Sequence, residues 1–286
     1  MAIFKNMISL VSICLMIFVL IPFRQAHGDA TIRVSGSSTI QPLAETVAEL
    51  YRIKSGQVID VQGGGTSNGI NNAISGASDI GTASRALSKN EKSRLGHTTV
   101  GFDAVAIIVN SRNPLTEIKR ETVIALYQGK VKNWKEITGW DQPVVLVSKQ
   151  PGRSTLELFE DYTGLKHKSH SANSTIGHIS EKAYEIGSNL EGATLVGGMP
   201  GAVGYVSVGT ALSLIGQGMP IKVLMLDGIA ATKENVVKGK YPILRELNLV
   251  YKKDIPKIKS YIDLFLSPEG QTIVKNGGFI PAKKYR

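Results

Sequence analysis

The chain has 286 residues, one cysteine, 42% hydrophobic and 20% charged residues, and a formal net charge of +10. That composition supports a packed core and excludes a disordered chain or a small fold stapled by disulfides. Aromatic residues make up 6% and no basic run interleaves with them, so the positive balance points to a small anionic ligand or a soluble basic surface rather than to nucleic acid.

At the amino terminus, Lys5 precedes an apolar run from Met7 to Ile21, broken by Ser9 and Ser12, and a polar stretch ending in Ala26-His27-Gly28. This is the layout of a signal peptide, and the run falls short of the ~20 residues of a spanning helix. Residues 1–28 are therefore expected to be a cleavable signal peptide and the product to be periplasmic. Cys14 lies inside the run and lacks the small preceding residues of a lipoprotein signal, so the mature chain carries no thiol and must be held by its own core.

Beyond residue 28, short apolar runs alternate with segments of helical period, as in an α/β protein. Thr31 to Val34, Val58 to Val61, Val105 to Val109, Val144 to Val147, Val203 to Val208 and Ile221 to Leu226 read as strands. Ile40, Leu43, Val47 and Leu50 share one helical face, and so do Ile70, Ala73, Ile74 and Ala77. Ile258, Tyr261, Ile262, Phe265 and Leu266 form a third such face, after which Ser267-Pro268-Glu269 predicts a new helix start.

The strand-to-helix junctions carry the chemistry. Ser35-Gly36-Ser37-Ser38-Thr39 and Gly63-Gly64-Gly65-Thr66-Ser67-Asn68-Gly69 place glycines and hydroxyls where a helix begins. The first amides of a helix lack internal partners and sit at the positive end of its dipole, so such a loop can hold an anion or simply cap the helix. A third junction, Lys149-Gln150-Pro151-Gly152-Arg153-Ser154-Thr155, adds cations, and Ser84-Arg85 closes a fourth segment. No nucleotide-loop pattern is present, since Gly-x-x-x-x-Gly-Lys-Ser/Thr is absent.

These residues resemble the phosphate-binding proteins of ABC-type phosphate importers, over essentially the whole chain after the signal peptide. Ser35-Gly36-Ser37-Ser38-Thr39, Gly64-Gly65-Thr66-Ser67-Asn68-Gly69 and Ser78-Asp79-Ile80-Gly81 with Ser84-Arg85 are similar to that family's anion loops. Gly201-Ala202-Val203-Gly204-Tyr205-Val206, Gly239-Lys240-Tyr241-Pro242 and Phe265-Leu266-Ser267-Pro268-Glu269-Gly270 resemble its later signatures. The resemblance implies a two-lobed, type II periplasmic-binding-protein α/β fold, with mixed sheets flanked by helices and the ligand in the cleft between lobes. Residues 29–110 with 205–286 would form the first lobe and 111–204 the second.

By the same resemblance, Ser38, Thr39, Thr66 and Ser84, with Arg85 or Asn68 nearby, would serve the anion from the first lobe. Lys149, Arg153, Ser154 and Thr155 would serve it from the second. The implied partners are inorganic phosphate or a similar oxyanion and the membrane permease of an ABC importer, with no cofactor and no metal. A monomer is expected, because no apolar seam suggests an oligomer.

Two departures bear on specificity. Ser84 stands where some members place a carboxylate, which accepts the proton of hydrogen phosphate and repels sulfate. Asp103 is a substitute acceptor or a structural strand-end residue. Gly152-Arg153-Ser154-Thr155 replaces the Gly-Ser-Gly-Thr of many members and adds positive charge. Tungstate, molybdate and sulfate are alternative ligands, and sensing or attachment are alternative roles. A secreted serine hydrolase is disfavoured, since no Gly-x-Ser-x-Gly elbow occurs and His97, His167, His170 and His178 lie in polar surroundings.

Overall fold

The structure, a computed structural model, describes residues 31–170, 176–253 and 256–282, so the expected signal peptide lies outside it. β1 (Ile32–Gly36) leads into α1 (Gln41–Ser55), β2 (Ile59–Gly63) into α2 (Thr66–Ser75), and β3 (Ile80–Ala83) into the short α3 (Lys89–Arg94). Next come β4 (Gly96–Asn110), β5 (Glu117–Ile118), α4 (Arg120–Tyr127), α5 (Lys135–Thr138), β6 (Val145–Lys149) and α6 (Ser154–Thr163). β7 (Tyr184–Ile186), α7 (Asn189–Gly198), β8 (Ala202–Ser207), α8 (Val208–Gly216), β9 (Ile221–Val223), β10 (Met225–Leu226) and α9 (Lys233–Val237) follow. β11 (Leu244–Tyr251), α10 (Lys259–Leu266), α11 (Pro268–Asn276) and β12 (Ile280–Pro281) complete the chain.

The main sheet has ten strands in the order β2-β1-β3-β11-β4-β8-β6-β7, with β9 and β12 also on β4. It is mixed: β1 runs parallel to β2 and β3, and β6 parallel to β7 and β8, while β11 and β8 are antiparallel to β4. β4 is 15 residues long and serves both ends of the sheet. From Gly96 to Ala104 it pairs with β11, and from Val105 to Val109 with β8. The change of partners comes before residue 110, where the sequence suggested a boundary.

Each half of the sheet has its own core. In the first half, Ile32, Val34, Leu43, Val47, Tyr261 and Phe265 pack together; in the second, Val105 to Val109, Trp134, Phe159 and Tyr205 do so. Phe159 lies flat on Tyr205, with ring centroids 3.9 Å apart and planes 5° from parallel. Burial of each such side chain contributes roughly 1.5–3 kcal/mol, which stabilises each half without any covalent link.

The helix signals in the sequence act as expected at several ends. Pro42 stands in the first turn of α1, and Gly56 ends it in a left-handed conformation, its amide bonding Arg52 O. The Ser267 hydroxyl accepts from Gly270 N and starts α11, with Pro268 in its first turn. Three expectations fail. Val208, read as the end of a strand, is the first residue of α8. Ala77 lies past the left-handed cap at Gly76 and is exposed, so it takes no part in the α2 face. The run Ile221–Leu226 breaks at Leu224, because β9 pairs with β4 whereas β10 pairs with β5.

Candidate functional site

The first half brings three chain segments together through close backbone packing. A Cβ on Gly69 would stand 2.8 Å from Gly36 Cα, Ser35 O and Thr82 O, so only glycine lets the first turns of α2 rest on β1 and β3. Gly36 itself has φ +134°, a conformation glycine adopts freely. As a result Ser37, Thr66 and Ser84 meet: Ser84 N donates to Thr66 Oγ1 at 3.1 Å, and Ser37 Oγ donates to Ser84 Oγ at 2.8 Å. Ser37 Oγ also accepts from Thr39 N at 3.2 Å.

The second half presents the loop between β6 and α6 to this cluster. Gly152, at φ +81°, turns the chain so that Ser154 and Thr155 stand in the first turn of α6, both buried. Ser154 Oγ lies 2.6 Å from Ser84 Oγ, and Gly152 O accepts from Ser67 N at 3.2 Å. Hydroxyls from both halves thus share one buried network.

Capping distinguishes these helices from five others in the fold, although α4, α5 and α10 also lack a side-chain cap. α3, α7, α8, α9 and α11 each begin with a serine or threonine whose hydroxyl accepts a first-turn amide. α1, α2 and α6 have no side-chain cap, although hydroxyl residues surround their starts. The innocent account of the three junctions, that their hydroxyls cap the helices that follow, does not describe them. Some of their first amides are already engaged, Ser67 N by Gly152 O and Gln41 N by Ser37 O, while the positive ends of the helix dipoles lie at these junctions.

Cations complete the site. Lys149 is 2% exposed, and its Nζ donates to Ser188 O at 2.7 Å. Burial, followed by the charges of Arg245 and Arg153, brings its pKa down to about 7, with Glu191 opposing. Arg153 lies against the loop before α2: a Cβ on Gly65 would stand 3.0 Å from Arg153 Cδ. Burial lowers its pKa, again with Glu191 opposing.

Sequence reasoning missed Arg245, on β11 and 4% exposed. It donates through Nη1 to Thr155 Oγ1 at 3.0 Å and through Nη2 to Thr39 Oγ1 at 3.2 Å. Its Nε and Nη2 hold Asp103 Oδ2 at 2.9 and 2.6 Å. Asp103 also accepts from Ser207 Oγ and Gly209 N, so it is the counter-ion of Arg245 and anchors the start of α8. Asn189 was missed as well; its Nδ2 donates to Thr39 Oγ1 at 2.9 Å. The signal available was charge within an apolar strand pattern, Leu244-Arg245-Glu246-Leu247, since a buried arginine needs paired company.

Of the residues singled out from the sequence, Thr39, Thr66, Ser84, Ser154 and Thr155 join this network, with Lys149 buried beneath it and Arg153 across its mouth. Ser38 is half-buried between Ser37 and Thr39 in the same turn. Asn68 is turned back on its own loop, donating to Gly64 O at 2.9 Å. Arg85 is committed elsewhere: it grips both oxygens of Glu91 at 2.9 Å and pairs with Glu157 at 2.6 Å. Burial opposes its charge, but these two carboxylates leave its pKa raised. Of the histidines, His167 contacts Glu185 and Ser169, and His170 contacts Glu160, all away from the hydroxyl network.

The arrangement matches known proteins. A family model described as a PBP superfamily domain fits residues 23–269. The phosphate-binding protein PstS of Borreliella burgdorferi is 26% identical over 265 residues, which cover 91% of this chain and 93% of that one. PstS of Bacillus subtilis is 28% identical over 264 residues, 90% of this chain and 82% of that one. Among solved structures, a phosphate ABC transporter substrate-binding protein from Clostridium perfringens, with bound phosphate, superposes with a TM-score of 0.78 at 32% identity, covering 88% of this chain and 99% of that one. The chain belongs to the PBP superfamily and, within it, to the phosphate-binding proteins of ABC-type phosphate importers.

Proposed function

We propose that this protein binds inorganic phosphate between the two halves of its sheet, outside the cytoplasm, and delivers it to the membrane permease of an ABC importer. The observation that carries the reading is the convergence of three helix starts without side-chain caps on one buried hydroxyl network, with Lys149, Arg153 and Arg245 beside it. The bound phosphate of the Clostridium perfringens relative supports the choice of anion. Ser38, Thr39, Thr66 and Ser84 would approach the ligand from one side, and Lys149, Arg153, Ser154 and Thr155 from the other. The two halves, meeting near Ala104 and Val105 of β4 and with Tyr205 in the second core, would then act as the lobes that close on the anion, in place of a division at residues 110 and 205.

Phosphate is carried, not transformed, in this reading. A nucleophilic serine needs a base, and Ser37, Ser84 and Ser154 bond to hydroxyls and a backbone amide. Among the described residues, no helix is long and apolar enough to cross a membrane. The transport role is tested by deleting the gene and following uptake of labelled phosphate by whole cells at low external concentration. Loss of uptake, restored by the intact gene, is expected; unchanged uptake alongside phosphate binding by the purified protein would replace transport by sensing.

A further inference from the structure

Thr39 and Thr155 meet partners that can only donate. A guanidinium has no acceptor, so in the bonds from Arg245 both threonine oxygens must accept. Thr39 Oγ1 accepts a second time, from Asn189 Nδ2 at 2.9 Å, and the Asn189 amide is oriented by Ser207 N, which donates to its Oδ1 at 3.4 Å. Among the described residues, neither threonine hydroxyl donates to another group. Each proton is left over for something that is not protein.

Arg245 is itself fixed. Asp103 takes its Nε and Nη2 at 2.9 and 2.6 Å, and both side chains are almost wholly buried. Two of the fork's three remaining N–H groups are then aimed at one threonine from each half of the sheet. By contrast, the bond between Ser84 and Ser154 can run either way, because each hydroxyl can donate or accept.

We propose that Arg245 is a positioning residue that makes Thr39 and Thr155 obligate hydrogen-bond donors to the bound anion, one from each half, and leaves the Ser84/Ser154 pair to accept a hydrogen bond from any protonated oxygen of the ligand. The site therefore favours oxyanions with at least two unprotonated oxygens and tolerates a single protonated one at the serines. This rests on the anion-binding reading above and deepens it. Asp103 is spent on holding the fork and does not serve as the acceptor for a proton of the ligand.

The test is equilibrium dialysis of the mature protein with labelled inorganic phosphate, comparing wild type, R245K, T155V, T155S and R245K/T155V, with circular dichroism to verify folding. R245K keeps the charge but replaces the fork with a single ammonium, so binding is expected to weaken by about tenfold or more. T155S, which keeps the hydroxyl, should bind like wild type. T155V should cost markedly less in the R245K background than in wild type, since the proton it removes is no longer directed. R245K binding within about twofold of wild type, with T155V equally damaging in both backgrounds, would overturn the proposal while leaving the anion-binding reading intact. Failure of the wild type to bind phosphate would overturn both.

Discussion

Burial to 2% exposure, with Arg245 and Arg153 close by, leaves Lys149 with a pKa of about 7 against its ordinary 10.5. Between those values the unfolded chain holds a proton that the ligand-free folded protein does not. The buried lysine therefore destabilises the fold fully below pH 7, and that cost is relieved as pH rises toward 10.5. An anion-binding site explains why such a group is kept, because a bound anion favours the charged ammonium. Lys149→Met is expected to raise the melting temperature of the ligand-free protein most below pH 7, to lose that advantage toward pH 10.5, and to weaken anion binding. Thermal unfolding across this range checks it; a melting temperature unchanged at every pH would remove Lys149 from the account.

The residue scale also shows where sequence reading stops. Thr39, Thr66, Ser154 and Thr155 were legible because local pattern is enough to place a hydroxyl at a helix start. Arg85 was singled out from the sequence and Arg245 was not. Arg85 sits beside an anion loop in sequence, yet Glu91 and Glu157 engage it. Arg245 lies 90 residues from Thr155 and 206 from Thr39 along the chain, and only the sheet brings them within reach.

At the scale of elements, the site depends on how closely α2 lies on β1 and β3. Gly69→Ala would place a Cβ 2.8 Å from three backbone atoms, none of which is the end of a flexible side chain. The helix must shift, at a cost of about 1–3 kcal/mol, and Thr66 moves with it away from Ser84 N. Urea unfolding should register that loss together with weakened phosphate binding; full stability and full affinity would contradict the packing account. The strand Ala202–Ser207 was visible in the sequence for the same reason that it is stable, burial of its apolar side chains, whereas β2 was visible from its β-branched residues although Ile59 and Val61 are only partly buried. β3 was not, being four residues long with a glycine, and β11 was not, since Arg245, Glu246 and Asn248 interrupt its pattern. Those polar residues pair across the sheet: Asn248 bonds Thr99 and Arg85, and Arg245 bonds Asp103.

For the whole molecule, the connection between halves is largely polar. Ser84 to Ser154, Arg245 to Thr155, Asn189 to Thr39, Arg85 to Glu157 and Ser67 to Gly152 all cross from one half to the other. The apolar cores, by contrast, remain separate. Two independently packed halves joined by strands and by hydrogen bonds can close around a charged ligand without rebuilding either core. Several charge-assisted hydrogen bonds, at about 1.5–3 kcal/mol each, offset the desolvation of the anion and are compatible with a dissociation constant near ~1 μM, or ~8 kcal/mol. The most direct test is isothermal titration of the ligand-stripped mature protein with phosphate at neutral pH, beside sulfate and molybdate at equal ionic strength. Saturable binding of phosphate at ~1 μM or tighter, stronger than that of the other two, is the predicted result; no heat with phosphate, or tighter binding of sulfate or molybdate, would contradict it.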